Sequence, residues 1–416
     1  MEEQKPNGNQ IENQTRDLAK VQIRKQTEEY TGSQKQKHTE NHKEEASVEQ
    51  GYTAREWIKN HIDTKQVLSL IVAVVAAFLG GLMVAAIVGE VRYKRFYSKP
   101  YITFESDNMQ VFHLSKEVPT LEYSVGEKKW QTLKTQNVVF GGEHGKLLLR
   151  GNSELGTSGA TVLFSTDAEV VCVGDIRTLV DYNNYNNTTT SKASFEHLFN
   201  NCKQLVIAPE LPPKRMAEGC YYGMFAGCTS LKAAPELPAE KLCYSCYSEM
   251  FSGCTSLEYA PKLPAKELAE WCYAYMFSNC TSLKEGPELP AMDLANGCYK
   301  NMFSDCVSLK AAPELPAQNL SPWCYANMFF NCVSMEKAPE LPSKCLVDNC
   351  YSNMFSGCTS VTQITMSATS SDAAYLLDNW IEGISPKGTF RKNKDAQWQN
   401  EGVVPDGWEV VLVELH

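Results

Sequence analysis

The residues of this chain best able to do chemistry are its 16 cysteines, and two of them, Cys243 and Cys246, form a Cys-x-x-Cys. Such a pair could exchange a disulfide or give two thiolates to a zinc ion. A closed zinc site needs four ligands. The chain has no second Cys-x-x-Cys and no histidine between residues 198 and 366. Cys243 also stands where neighbouring copies of a repeat carry Ala217, Ala269 and Ala295, so the pair reads as a chance substitution beside a cysteine that belongs to the repeat. The seven histidines (His38, His42, His61, His113, His144, His197 and His416) are scattered. No Ser/His/Asp set, phosphate loop or carboxylate pair emerges. The expectation is a non-enzyme with no catalytic residue, no cofactor and no metal.

Most of the cysteines follow a register. Cys202, Cys228, Cys254, Cys280, Cys306, Cys332 and Cys358 recur every 26 residues, and Cys220, Cys246, Cys272, Cys298, Cys324 and Cys350 form a second column. Cys172, Cys243 and Cys345 stand outside both. Phenylalanine (Phe199 to Phe355), methionine (Met224 to Met354) and tyrosine (Tyr221 to Tyr351) keep the same period without an insertion. Self-similarity at this spacing marks a solenoid, in which each unit buries its apolar face only by stacking on its neighbours. The column cysteines then read as small buried hydrophobes whose thiols donate weakly to coil carbonyls. Stacking alone does not create disulfide geometry, and the sequence leaves their redox state open.

One unit can be read in physical terms. Leu257, Ala260 and Leu263 alternate with Pro261 and Pro264 in a stretch too rich in proline for a helix, which predicts a short extended segment with few ladder bonds. Leu268, Cys272, Tyr273, Met276, Phe277 and Cys280 then fall on one face of a helix starting near Pro264 and leaving near Asn279, or Gly253 in the preceding copy. One strand and one helix per coil predict an α/β solenoid of the leucine-rich-repeat kind, curved with its strands on the concave face and with tyrosine hydroxyls near water.

The repeated MFxxCxSLxxxPxLPxxxLxxxCY resembles the repeat of the BspA-like leucine-rich-repeat surface proteins of gut and mouth bacteria. The resemblance covers about residues 195–366, with companion segments such as LEYSVGEKKWQTL before it and NWIEGISPKGTF after it. It implies a cell-surface or envelope protein that binds other proteins or host matrix. No particular ligand carries over.

The remainder of the chain divides by composition. Residues 1–65 are polar, with mixed charges, and read as a disordered tail. Residues 66–90 contain VLSLIVAVVAAFLGGLMVAAIVG, an uncharged run long enough to span a membrane as a helix. Ala77, Gly81, Ala85 and Gly89 recur every four residues along it, a spacing that permits close helix pairing and a homo-oligomer. Basic residues flank both ends, and the expected topology is single-pass, with the N-terminus cytoplasmic and the solenoid periplasmic or extracellular. Residues 100–195 hold seven short β-like runs separated by turn residues and predict a small β domain covering one end of the solenoid. The solenoid proper spans 196–366. Residues 367–416 predict a closing segment with a helix at Ala373–Ile381 and strands near Gly388–Arg391 and Trp408–Leu415.

A net charge of −10 argues against nucleic acid as a partner. Two variable columns follow the repeat leucine: Lys232, Glu258, Lys284, Lys310, Glu336, and beside it Ala233, Tyr259, Glu285, Ala311, Lys337. Side chains that vary this freely are not dictated by the fold and should face solvent. Tyr259, Glu285, Lys310 and Lys337 are the candidate ligand contacts of an adhesin-like interaction module. The alternative is a structural envelope protein that assembles without a foreign ligand.

Overall fold

The computed structural model describes residues 99–190, 194–212, 215–369 and 376–415. The tail, the apolar run 67–89 and the Ala77, Gly81, Ala85 and Gly89 spacing lie outside the described residues. Among the described residues no helix is long and apolar enough to cross a membrane. Lys99–His416 forms one compact unit.

Each of the seven β-like runs in the first segment carries a strand. These are β1 (Ile102–Glu105), β2 (Gln110–Leu114), β3 (Glu122–Val125), then β5 (Val138–Phe140), β6 (Leu147–Arg150), β7 (Val162–Phe164) and β8 (Val170–Val173), with a two-residue β4 at Gln131–Thr132. One sheet runs β4-β3-β6-β1-β8 and ends on β9 (Leu205–Ile207), the strand of the first repeat, while β5-β2-β7 forms a second sheet. Strand β9 joins β8 in parallel, and Ile207 then bridges Ala233 one repeat later. The sheet of the β domain is therefore continuous with the repeat ladder. Val162 of β7 also takes the place of a preceding coil: its N–H donates to the Leu198 carbonyl at 2.7 Å and its own carbonyl accepts from Cys202 Sγ at 3.0 Å.

The repeat is a solenoid-like stack held by parallel backbone pairing, but its coils are not strand and helix. The extended segment pairs through single bridges, Tyr259 with Glu285, Glu285 with Ala311 and Ala311 with Lys337. A second bridge row links Arg215 with Lys241 and Lys241 with Glu267. The prolines between them keep these rows from growing into long strands.

The expected helix is absent. In the coil around Cys272, alternate amides donate to the next coil: Tyr273 to Cys298, Tyr275 to Lys300, Phe277 to Met302 and Asn279 to Ser304, at 2.7 to 3.0 Å. The amides between them close local turns, as with Ala274 to Trp271 and Met276 to Tyr273. Every fourth residue takes a left-handed conformation, here Trp271, Tyr275 and Asn279 at φ 57, 57 and 60. A chain that turns every four residues buries Cys272, Tyr273, Met276, Phe277 and Cys280 just as a helix face would. Over nine residues a period of four and one of 3.6 select the same side chains. Pro264 consequently starts no helix, and Gly253 and Asn279 are outward turn positions and not helix caps. The expected curvature supposes helices, bulkier than strands, on the outer side; here parallel backbone pairing runs along the turn side as well as the strand side.

The columns stack as rings and thiols. Phe199 through Phe355 lie 5.4 to 5.9 Å apart and within 8° of parallel. The tyrosines form a second stack from Tyr221 to Tyr351, started by Phe195. They are at most 2% exposed, so their hydroxyls do not sit at the water boundary as expected. From Cys228 to Cys358 each first-column thiol donates to a phenylalanine carbonyl of the preceding coil at 3.0 to 3.2 Å. That carbonyl already accepts a turn amide, so the thiol uses its second lone pair.

At the far end β10 (Glu340–Leu341), β11 (Gln363–Met366), β12 (Thr389–Asn393) and β13 (Glu409–Val413) form a four-stranded parallel sheet. The two expected C-terminal strands are present. Over the described part of Ala373–Ile381 Leu376 is helical, and from Asp378 the chain makes another repeat turn, with Asn379 at φ 49 and the Trp380 carbonyl accepting from Phe355 N–H. Trp380 breaks the parallel ring stack with a 55° tilt and passes it to Phe390 and Trp398 in edge-on contacts.

Candidate interaction surface

The extended segments place the candidate residues in adjoining rows. Tyr259, Glu285, Ala311 and Lys337 occupy one bridge row, one residue per coil. Tyr259 and Glu285 are half-buried, while Ala311, Lys337 and the neighbouring Lys310 are exposed. Lys284 donates to Glu258 at 2.5 Å and lies 5.6 Å from the centre of the Tyr259 ring. The row thus begins with a screened charge pair over an aromatic ring and ends in two exposed lysines, Lys310 and Lys337. The acidic column Glu210, Glu236, Lys262, Glu288, Glu314 and Glu340 is exposed along its length, as a solvated charged face should be.

The column cysteines offer little reactivity. All 16 are free thiols, and burial pushes the thiols of both columns up, Cys220 and Cys350 to about 11 and Cys272 and Cys358 to about 12. The Cys243 thiol donates to the Met216 carbonyl at 3.1 Å, and Cys246 is buried with its thiol raised well above the ordinary value. A thiolate nucleophile needs the opposite environment. Among the described residues no group of three or more His, Cys, Asp and Glu is placed to hold a metal ion. Brief alkylation of the native protein with iodoacetamide should therefore modify exposed Cys345 first and half-buried Cys243 more slowly. All 16 thiols should react after denaturation; mass spectrometry counts them, and rapid native modification of the columns would contradict the packing.

Sequence reasoning missed a second surface, on the outside of the turns. There the left-handed positions project His197, Glu249, Tyr275, Trp271 and Trp323, together with many Gly and Asn residues. His197 meets Tyr222 edge-on at 5.0 Å, and the Tyr222 hydroxyl donates to Glu249 at 2.8 Å. Burial and the Glu249 carboxylate together push the Tyr222 hydroxyl up to about 12. The signal was available as residues of turn type recurring every four positions, in Gly219, Gly223 and Gly227 or Asn349, Asn353 and Gly357. Compared with protein-family models, curated proteins and solved structures, the chain matches none.

Proposed function

We propose that the chain is a membrane-anchored envelope protein whose leucine-rich-repeat solenoid, of the BspA-like kind its repeat resembles, binds other proteins or host matrix. The observation that carries this reading is the row Tyr259, Glu285, Ala311, Lys337. A row of parallel backbone bridges holds one variable side chain per coil on a common surface, while the repeating Phe, Met, Tyr and Cys columns are spent on the core. Recognition would then come from modest contacts along several coils, dominated by a few aromatic or charged residues. Anchoring through 67–89 with the solenoid outside rests on the uncharged run and on the family resemblance.

Protease treatment of intact cells and spheroplasts carrying a tag at each end tests the compartment. The solenoid should be cut from outside while the N-terminal tag survives. Protection of the solenoid in both preparations would exclude an adhesive role. A variant combining Tyr259→Ala, Glu285→Ala, Lys310→Ala and Lys337→Ala should then lose at least tenfold in binding to a panel of immobilised matrix glycoproteins, with unchanged thermal stability. Replacing Gly81 and Ala85 by Leu should leave that binding intact. The reverse pattern would favour assembly of copies as the function.

A further inference from the structure

The outward positions that open each turn form the column Gly219, Ser245, Trp271, Gly297, Trp323, Asn349, all left-handed at φ 49 to 61. Glycine and asparagine suit that conformation, and a bulky side chain does not. Two of the six positions nonetheless carry tryptophan, two coils apart, with glycine between them. The glycine leaves room for the ring: a Cβ on Gly297 would lie 2.9 Å from ring carbons of Trp271, which would have to move. Into this gap reaches Lys300, whose ammonium lies 5.3 Å from the centre of the Trp271 ring and 4.8 Å from that of Trp323. Its own column otherwise reads Tyr222, Ser248, Ala274, Ala326 and Ser352, so a long cationic side chain appears only between the two indoles. Among the described residues no carboxylate lies within ion-pair distance of Lys300. Next to Gly297, the Asn296 side-chain oxygen is buried and has no hydrogen-bond partner. Trp323 is 37% exposed.

We propose that Trp271, Lys300 and Trp323 form a binding site for an acidic carbohydrate, a pyranose bearing a carboxylate or a sulfate. Strained backbone that holds large side chains at a surface is retained where those side chains act, and the small residues at the other four positions of the column show that the fold itself does not demand indoles there. Indole faces offer flat apolar area to the C–H face of a sugar ring, and they leave its hydroxyls to polar neighbours. The ammonium supplies the charge that selects an anionic sugar over a neutral one, because it is held by ring faces and no carboxylate among the described residues neutralises it. The site lies on the turns, away from the Tyr259 row, and does not depend on that row being functional.

The test is titration of the Lys99–His416 unit within the full chain, followed by tryptophan fluorescence, with a glucuronate-containing tetrasaccharide, a sulfated tetrasaccharide and a neutral cello-oligosaccharide. At least one acidic ligand should bind with a Kd below the millimolar range, at least tenfold tighter than the neutral one. Trp271→Gly and Trp323→Asn place residues already used in this column, so they should fold with a Tm equal to or above that of the parent and lose at least tenfold in affinity. Lys300→Met should abolish the preference for the acidic ligand. Equal binding of acidic and neutral ligands, no binding at millimolar concentration, or a clear fall in Tm for both tryptophan variants would each overturn the proposal; the last would show that the indoles are kept for stability.

Discussion

Raising the pH from 8 to 10 under reducing conditions is expected to unfold the protein cooperatively. Fourteen thiols (the thirteen of the two columns and Cys172) have pKa values pushed upward, foremost by burial. In the unfolded chain a thiol ionises near pH 8.5, whereas even the least shifted of these, Cys220 and Cys350 at about 11, still hold their protons in the fold at pH 10. Above pH 8.5 the unfolded state therefore binds fewer protons than the native state, and stability falls as pH rises. The contribution is fully present below the unfolded value and is lost progressively towards the folded one. At pH 10 each thiol removes about 2 kcal/mol, and fourteen remove on the order of 28 kcal/mol, against roughly 5–15 kcal/mol for an ordinary domain. Half that sum would suffice. The buried tyrosines Tyr221, Tyr247, Tyr273, Tyr299, Tyr325 and Tyr351 are also raised and steepen the loss above pH 10. Circular dichroism between pH 7 and 11 should show a sharp transition that reverses on return to pH 7. A protein still folded at pH 11 would mean that the columns are not buried thiols.

The same columns show what could be read from the chain and what could not. The 26-residue register, the buried Phe, Met and Cys columns and the β runs before the repeat were legible because each depends on periodicity alone. Conformation within the coil was not. Cys272, Tyr273, Met276, Phe277 and Cys280 satisfy a helix and a succession of four-residue turns equally well. The distinguishing residues are those between them, where Trp271, Tyr275 and Asn279 hide in one copy a pattern that Gly297, Asn301 and Asp305 show in the next. Glycine or asparagine at every fourth position weakens a helix and suits a left-handed turn. The candidate site suffered similarly. Variation between copies pointed to the Tyr259 row, since that row varies in charge and size. The Trp271 and Trp323 pair lies in a column whose other members are small, and only the fold brings Lys300 between the two rings.

Phe277→Ala should be among the most damaging single substitutions in the solenoid, with a loss of about 3–5 kcal/mol from lost burial and the cavity left behind. Phe277 is fully buried and stacks on Phe251 and Phe303 at 5.7 Å on either side. Two ring pairs, each contributing about 0.5–1.5 kcal/mol, are lost with it and place the variant at the upper end of that range. Neighbouring coils cannot close the gap, because backbone hydrogen bonds on the turn side fix their separation, Phe251 N–H to Met276 and Phe277 N–H to Met302, both at 2.9 Å. In a stack where each coil touches only its neighbours, weakening one interface divides the structure into two parts of unequal stability. Urea unfolding followed by circular dichroism should then change from one transition to two, the earlier one at a markedly lower midpoint. Phe277→Leu, which keeps most of the volume, should shift the midpoint less and retain a single transition. Trp271→Gly, six residues away in the same turn segment, should cost nothing and would remove a left-handed strain of about 1–2 kcal/mol. If Phe277→Ala and Trp271→Gly had the same effect, the inward and outward assignment of this turn, and with it the four-residue rule for the whole repeat, would be wrong.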